Sequence, residues 1–475
     1  MTVMCVIFIS IVPRIRQAVL MVVPISCLNW RTHKRMASLE RSEKLRVLLI
    51  PFFATSHIGP FTDLAVRLAS ARPDVVKPTI AVTVANVSVV RSALNRHGST
   101  ASSAVSIATY PFPEAAGLAQ GVENLSTAGV DGWRIDAAAT NETLTRPAQE
   151  ALIRDQSPDA LITDEIIVAG FPGSELRIPK SELPDYMITR QRNDPDGFNP
   201  DKIPEGQKRC HGVVVNTFLG LEKTYYDKFV HDGFAKRAYL VGPLCLPQTQ
   251  VEACTDKPPC ISWLDSKPSR SVVYICFGTF APVSEKQLDE LALGLEASEK
   301  PFLWVVRADR WAPPAGWEER IGKTGLLARD WVPQTAILAH PATAAFLTHC
   351  GWNSVLEGII AGMPLLTWPL VFEQFISERL VIEVLRIGER VWDGPRSVQY
   401  KEAAAVPAAV VARAVARFLE PGGTGDTARV RAQELGVKAY AAVAEGGSSY
   451  NDLRTLIDDL VKARVAAAEA TKQSQ

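Results

Sequence analysis

His349, Asn353, Ser354 and Glu357 stand where a short apolar run meets an amphipathic stretch, in TAAFLTHCGWNSVLEGII. Ala344–Thr348 has the length and apolarity of a buried parallel strand. His349, Cys350 and Gly351 then read as a turn. Asn353 or Ser354 is the expected cap of a helix through Val355, Leu356, Ile359 and Ile360, which Gly362 and Pro364 stop. A helix start offers unpaired N–H groups and a positive dipole end, which suit phosphate. The imidazole of His349 adds a donor, and Gly351 lets the backbone come close. Glu357, one turn further, is placed to accept from two ribose hydroxyls. A second apolar run, Leu365–Trp368, ends in Pro369, and Glu373 and Gln374 follow. A carboxylate beside an amide suits a polyhydroxyl ligand, because one accepts and the other both donates and accepts. Trp331 offers a flat face for a base. Such a set grips a diphosphate and a sugar without a metal.

Two further places carry chemistry. Gly278-Thr279 closes a strand ahead of a helix and suits a second phosphate contact. His57, in PFFATSHIGP, follows the first strand of the main series and precedes a helix expected over Pro60–Ala71. An imidazole titrates near neutrality, so it can take the proton of an attacking hydroxyl.

The elements that must position these groups alternate. Strands are expected over Lys44–Phe53, Thr79–Val84, Val105–Tyr110, Ala160–Thr163 and Gly212–Asn216. Helices fall between them, among them Ser88–Arg96, with Ser88 as cap, and Thr143–Arg154. After a Pro-, Cys- and Thr-rich linker near Pro243–Pro259, a second series begins with strand Ser271–Phe277, helix Glu285–Ala297 and strand Phe302–Val306. Helices over Val406–Leu419 and Thr427–Glu445, and one from about Tyr450, complete the chain. Alternation of this kind predicts α/β architecture with doubly wound parallel sheets. Ligands of such sheets sit beyond the carboxyl ends of the strands. The expected domains are an extension over 1–40, disordered or non-native, an N-terminal domain over 41–243 and a linker over 244–262. A second domain over 263–449 follows, then a C-terminal helix over 450–475 that returns to the N-terminal domain.

The 331–374 segment, WVPQTAILAHPATAAFLTHCGWNSVLEGIIAGMPLLTWPLVFEQ, resembles the signature box of plant UDP-glycosyltransferases, glycosyltransferase family 1. The similarity extends from about Lys44 to Arg464 and implies the GT-B arrangement, two facing Rossmann-like halves with the acceptor bound by the N-terminal domain and the UDP-sugar by the C-terminal one. Carried over by residue, it implies that Trp331 stacks on uracil, with Val332 and Gln334 beside the uridine. His349, Gly351, Asn353 and Ser354 hold the diphosphate with Thr279, Glu357 binds the ribose, and Trp352, Glu373 and Gln374 hold the sugar. The terminal Gln374 is more like glucose users than galactose users. The family also pairs the base His57 with an Asp at the end of a later strand, here Asp164 in DALITD; the carboxylate fixes the imidazole tautomer and stabilises its cation. Ser56 replaces the glycine that usually precedes the histidine.

Composition narrows the alternatives. The chain has 475 residues, 47% of them hydrophobic, with 51 basic and 51 acidic side chains. That is room for two domains, and it gives no sign of a nucleic-acid groove or a polybasic membrane patch. The cysteines (5, 27, 210, 245, 254, 260, 276 and 350) have no metal-ligand spacing and read as free thiols of a reducing, cytoplasmic compartment. Val3–Val12 and Ala18–Leu28 are apolar but each too short to span a bilayer, and Met36-Ala37-Ser38 resembles an ordinary start. Neither HExxH nor a nucleophile elbow nor a Walker loop competes, and the first strand lacks the GxGxxG of a nicotinamide dehydrogenase.

One stretch departs from the family. After Asp164 a doubly wound sheet needs a crossover helix and another strand. Instead the chain runs through Pro172, Pro179, Pro184, Pro195, Pro200 and Pro204, a loop of roughly 45 residues with little room for either. An internal loss of about 50–70 residues, near two βα units, is expected, with a strand missing from the N-terminal sheet. The whole sequence therefore predicts an inverting transfer of glucose from UDP-glucose to a small lipophilic plant metabolite, a flavonoid, other phenolic or terpenoid. UDP-glucose is a co-substrate, no cofactor or metal is expected, and a monomer without stable membrane insertion is expected. The alternatives are an impaired chain that only binds UDP-sugar and a nucleotide-sugar enzyme of another type.

Overall fold

The computed structural model describes residues 2–7, 44–113, 118–163 apart from positions within 133–141, 180–182, 211–246 apart from 234, 257–279, 283–308, 311–398 and 404–473. The chain forms two compact units. The first comprises residues 1–172, 191–252 and 441–475, and the second 173–190 and 253–440.

The first unit is built on a seven-stranded sheet in the order β4-β3-β2-β5-β1-β6-β7, with every pairing parallel. The strands are β1 (Thr2–Ile7), β2 (Leu45–Ile50), β3 (Val76–Thr83), β4 (Ser106–Tyr110), β5 (Ala160–Thr163), β6 (Val213–Val215) and β7 (Ala238–Leu240). Strands covered on both faces read as unbroken apolar runs, as LRVLLI and VVV do. Leu45, Val47 and Leu49 pack with Ile58, Phe61 and Leu64 of the helix Thr55–Ala71. Leu453, Leu456, Ile457 and Leu460 of the C-terminal helix Ser448–Gln473 enter the same core. Asp459 of that helix accepts from the Tyr239 hydroxyl at 2.8 Å.

The missing strand is where structure and sequence part. Thr2–Ile7 lies between β5 and β6, with Thr2 beside Ala160 and Cys5 beside Val213. The expectation of a disordered or non-native 1–40 extension fails for these residues, and so does that of a sheet one strand short. In a doubly wound sheet the fifth position needs an apolar parallel strand. The run TVMCVI meets that need from the far end of the chain.

The second unit has the order β10-β9-β8-β11-β12-β13, again all parallel. Its strands are β8 (Val272–Cys276), β9 (Phe302–Val305), β10 (Gly325–Ala328), β11 (Thr343–Thr348), β12 (Leu365–Thr367) and β13 (Gly388–Arg390). This is the dinucleotide-fold order, whose crevice opens where the winding reverses, between β8 and β11. The matching reversal in the first unit lies between β2 and β5. Ser284 caps the helix Glu285–Ala297 by accepting from Gln287 N–H. Gly173–Arg190, expected in the N-terminal domain, belongs to this unit. Cys245, Cys260, Cys276 and Cys350 are free thiols. Among the described residues no helix is long and apolar enough to cross a membrane.

Candidate active site

In the second unit the loops after β8 and β11 flank the reversal point and carry the predicted phosphate residues. The helix after β11 starts at Trp352 and ends at Ile360, and its cap is Gly351, not Asn353 or Ser354. Glycine has no side chain to spend on the first-turn N–H groups, so the cap itself supplies no acceptor to them. Cys350, just before it, has φ 65°. That costs a side-chain-bearing residue energy and recurs at functional turns. The Thr348 hydroxyl holds the turn by accepting from Cys350 N–H at 3.2 Å.

His349 is seated between two glycines. A Cβ on Gly278 would stand 2.6 Å from its Nε2, and one on Gly351 would stand 2.5 Å away. Gly278 also has φ 78°, so both space and backbone demand glycine there. Burial lowers the His349 pKa to about 4. One edge of the residue still meets solvent, and the two packed faces set the direction. A neutral imidazole keeps one N–H to donate. Thr279, half-buried, follows Gly278 at the same rim.

The residues expected at the nucleoside are joined by a chain of hydrogen bonds. The Tyr274 hydroxyl donates to Gln334 Oε1 at 2.9 Å, and Gln334 Nε2 donates to Glu357 Oε2 at 2.5 Å. The chain fixes the Gln334 amide against the Glu357 carboxylate. Trp331 is 62% exposed, and the Arg307 guanidinium lies 5.3 Å from its ring centre. The neighbouring Val332 side chain is buried, so its backbone is what a ligand can meet. Tyr274 and Arg307 escape the sequence reading. Their signals are a hydroxyl inside the apolar run VVYIC, which needs a partner when buried, and the first charge beyond the carboxyl end of β9.

At the end expected to hold the sugar, Gln374 opens the helix Gln374–Arg379, with Glu373 as its cap. Gln374 Oε1 accepts from Leu370 N–H at 2.9 Å and Val371 N–H at 3.0 Å. The carbonyl is thus committed to its own loop, and the Nε2 amide is the group that can donate outward. Trp352 is 5% exposed, so its indole is packed away from solvent. Asn353 and Glu373 are half-buried, and Ser354 is buried.

In the first unit the helix begins at Thr55 and not at Pro60, which places His57 inside its first turn. Pro60 lacks the N–H that would bond the Ser56 carbonyl. A polar net braces the turn: Thr55 N–H donates to Ser126 Oγ, and Asn124 Nδ2 donates to Asn86 Oδ1 at 2.6 Å. Asn86, in turn, caps the next helix in place of the expected Ser88. The His57 ring packs at 5.3 Å from that of Phe52. Asp164 follows β5 directly but lies outside the described residues.

Fold and site together define a nucleotide-sugar-binding protein of the GT-B class. A family model described as UDP-glucoronosyl and UDP-glucosyl transferase matches residues 250–383. An anthocyanin 3'-O-beta-glucosyltransferase of Gentiana triflora is 33% identical, covering 88% of this chain and 98% of its own length. A UDP-glucose flavonoid 3-O-glucosyltransferase of Fragaria ananassa is 32% identical, covering 88% and 96%. The solved structure of a Glycyrrhiza uralensis glycosyltransferase, complexed with glycyrrhetinic acid 3-O-monoglucuronide, superposes with TM-score 0.76 at 26% identity, covering 91% of this chain and 98% of that one. The chain belongs to the plant UDP-glycosyltransferase family and is a glycosyltransferase that uses a UDP-sugar. The Gentiana alignment spans 483 positions, whereas 88% of 475 residues is about 418, so this chain runs about 65 positions short within it.

Proposed function

We propose that this protein transfers glucose from UDP-glucose, with inversion, to a hydroxyl of a small lipophilic plant metabolite of the flavonoid, other phenolic or terpenoid kind. The observation that carries the reading is the glycine-capped helix start beside the glycine-seated His349. It offers neutral and dipolar donors where a diphosphate gathers charge as it leaves. Trp331 takes the uracil face, Glu357 the ribose hydroxyls, and Glu373 with the Gln374 amide the glucose hydroxyls. The acceptor oxygen attacks C1 of glucose, and the bond from C1 to the UDP oxygen breaks. His57 takes the acceptor's proton, with Asp164 holding the imidazole, and UDP departs with the electron pair. Relatives that act on anthocyanin, flavonoid and scopoletin support this acceptor class.

The test is product analysis by mass spectrometry with UDP-glucose and a panel of flavonoids and terpenoids. His57→Ala is expected to lower turnover at least about 100-fold while leaving UDP affinity within about twofold. Unchanged turnover in that variant removes His57 as the base. The shortfall of about 65 aligned positions favours a second reading, in which the chain binds UDP-sugar and transfers it poorly. A thermal shift with UDP in the absence of any product across the panel would select it.

A further inference from the structure

Lys180–Glu182 forms a single turn of 3-10 helix in the second unit, although the strands before and after it in sequence belong to the first. The Ser181 carbonyl accepts from Val398 N–H at 2.8 Å. The Glu182 side chain is buried, and both its oxygens are taken. Oε2 accepts from Arg379 Nη2 at 2.6 Å, and Oε1 accepts from Arg396 Nη2 at 2.8 Å and Nε at 3.1 Å. Arg396 continues through Nη1 to Glu378 at 2.6 Å. Glu378 is fully buried and also accepts from Arg390 at 3.0 Å and from the Thr367 hydroxyl at 2.9 Å.

This cluster grips the last turn of the helix Gln374–Arg379 and the carboxyl end of β12. The first residue of the same helix is Gln374, whose carbonyl ties down Leu370 and Val371. The loop that presents Glu373 is therefore held at both ends, by an amide on one side and by buried charge on the other. Buried ion clusters contribute little net stability over apolar packing of similar volume. What such a cluster does supply is a fixed, directional geometry, since each guanidinium is bonded at more than one nitrogen.

We propose that Glu182 is a positioning residue for the sugar-holding end of the donor site. It sets the Gln374–Arg379 helix so that Glu373 and the Gln374 amide meet the hexose, and it leaves the uridine end untouched. The inference rests on the reading that Glu373 and Gln374 hold the sugar. The full chain is tested by calorimetric titration with UDP and, separately, with UDP-glucose, for the parent and for Glu182→Ala, Glu182→Gln and Gln374→Ala. Glu182→Ala is expected to weaken UDP-glucose about tenfold while UDP stays within about twofold. Glu182→Gln keeps one acceptor and is expected to lose less. It carries the comparison alone where the alanine variant fails to fold. Equal losses for both ligands, or unchanged UDP-glucose affinity in a folded Glu182 variant, overturns the proposal. If Gln374→Ala selectively weakens UDP-glucose in that case, the sugar assignment stands and only the role of Glu182 falls. If Gln374→Ala is also silent, both fall together.

Discussion

A methyl group on Gly278 would sit 2.6 Å from the His349 ring and on a backbone with φ 78°. Gly278→Ala must therefore push the imidazole out of its seat or strain the turn, at a cost of about 1–3 kcal/mol. UDP affinity is expected to fall about tenfold or more, read by titration; an unchanged value would remove His349 from the phosphate site. The depressed His349 pKa, about 4, also has a stability consequence. The unfolded chain, with an ordinary histidine, binds the proton first as pH falls below about 6.5. This group therefore leaves stability unaffected above that value, lowers it between about 6.5 and 4, and adds no further loss below. A His349→Gln variant should lose less unfolding free energy from pH 7 to pH 5, by roughly 1–2 kcal/mol, read by denaturant titration at both pH values. Identical slopes in parent and variant would contradict a neutral, packed imidazole. Tyr274→Phe removes the donor that orients Gln334. It is expected to weaken UDP by about 1 kcal/mol, near fivefold, with little change in melting temperature. At this scale the sequence was informative about residue types and less so about which atoms act. It shows a Gln at 374 but not that its carbonyl is spent on Leu370 and Val371. It shows Trp352 but not that its indole is buried.

Among the elements, the Thr2–Ile7 strand carries the strongest prediction. Removing residues 1–35 opens the sheet between β5 and β6 and leaves two unpaired strand edges in the middle of the first unit. The loss should exceed about 4 kcal/mol, seen as aggregation or as a large drop in melting temperature. A truncated protein that melts with the full chain would show the strand to be dispensable. The main strands were legible because both faces are covered, so apolar runs such as VVYIC and TAAFLT stand out. β7, β10 and β13 were not, since strands of three or four residues at or near a sheet edge carry too little pattern to separate from loops. β1 was hidden for another reason. Its run is plain in the sequence, but its pairing partners lie about 155 residues away or more, and no local signal reports that.

Taken as a whole, the molecule should respond unevenly to ligand, because the predicted uridine and phosphate residues all belong to the second unit. UDP at about 100 times its Kd adds roughly 2.7 kcal/mol to whatever binds it. Where the units melt separately in calorimetry, the transition of the second is expected to rise and that of the first to stay; a rise confined to the first would misplace the donor site. The sequence alone determined the family and the winding of both sheets. It also singled out the side chains proposed to meet a UDP-sugar, since residue order, strand–helix alternation and the 331–374 spacing are local properties. Only the tertiary structure decided that Gly351 is the helix cap, that Gly278 and Gly351 seat a neutral His349, and that Tyr274 orients Gln334. It also decided that Glu182 plugs a buried charge cluster and that Thr2–Ile7 completes the first sheet. Each of these depends on atoms brought together from distant parts of the chain, where packing and desolvation, not local pattern, set the energy.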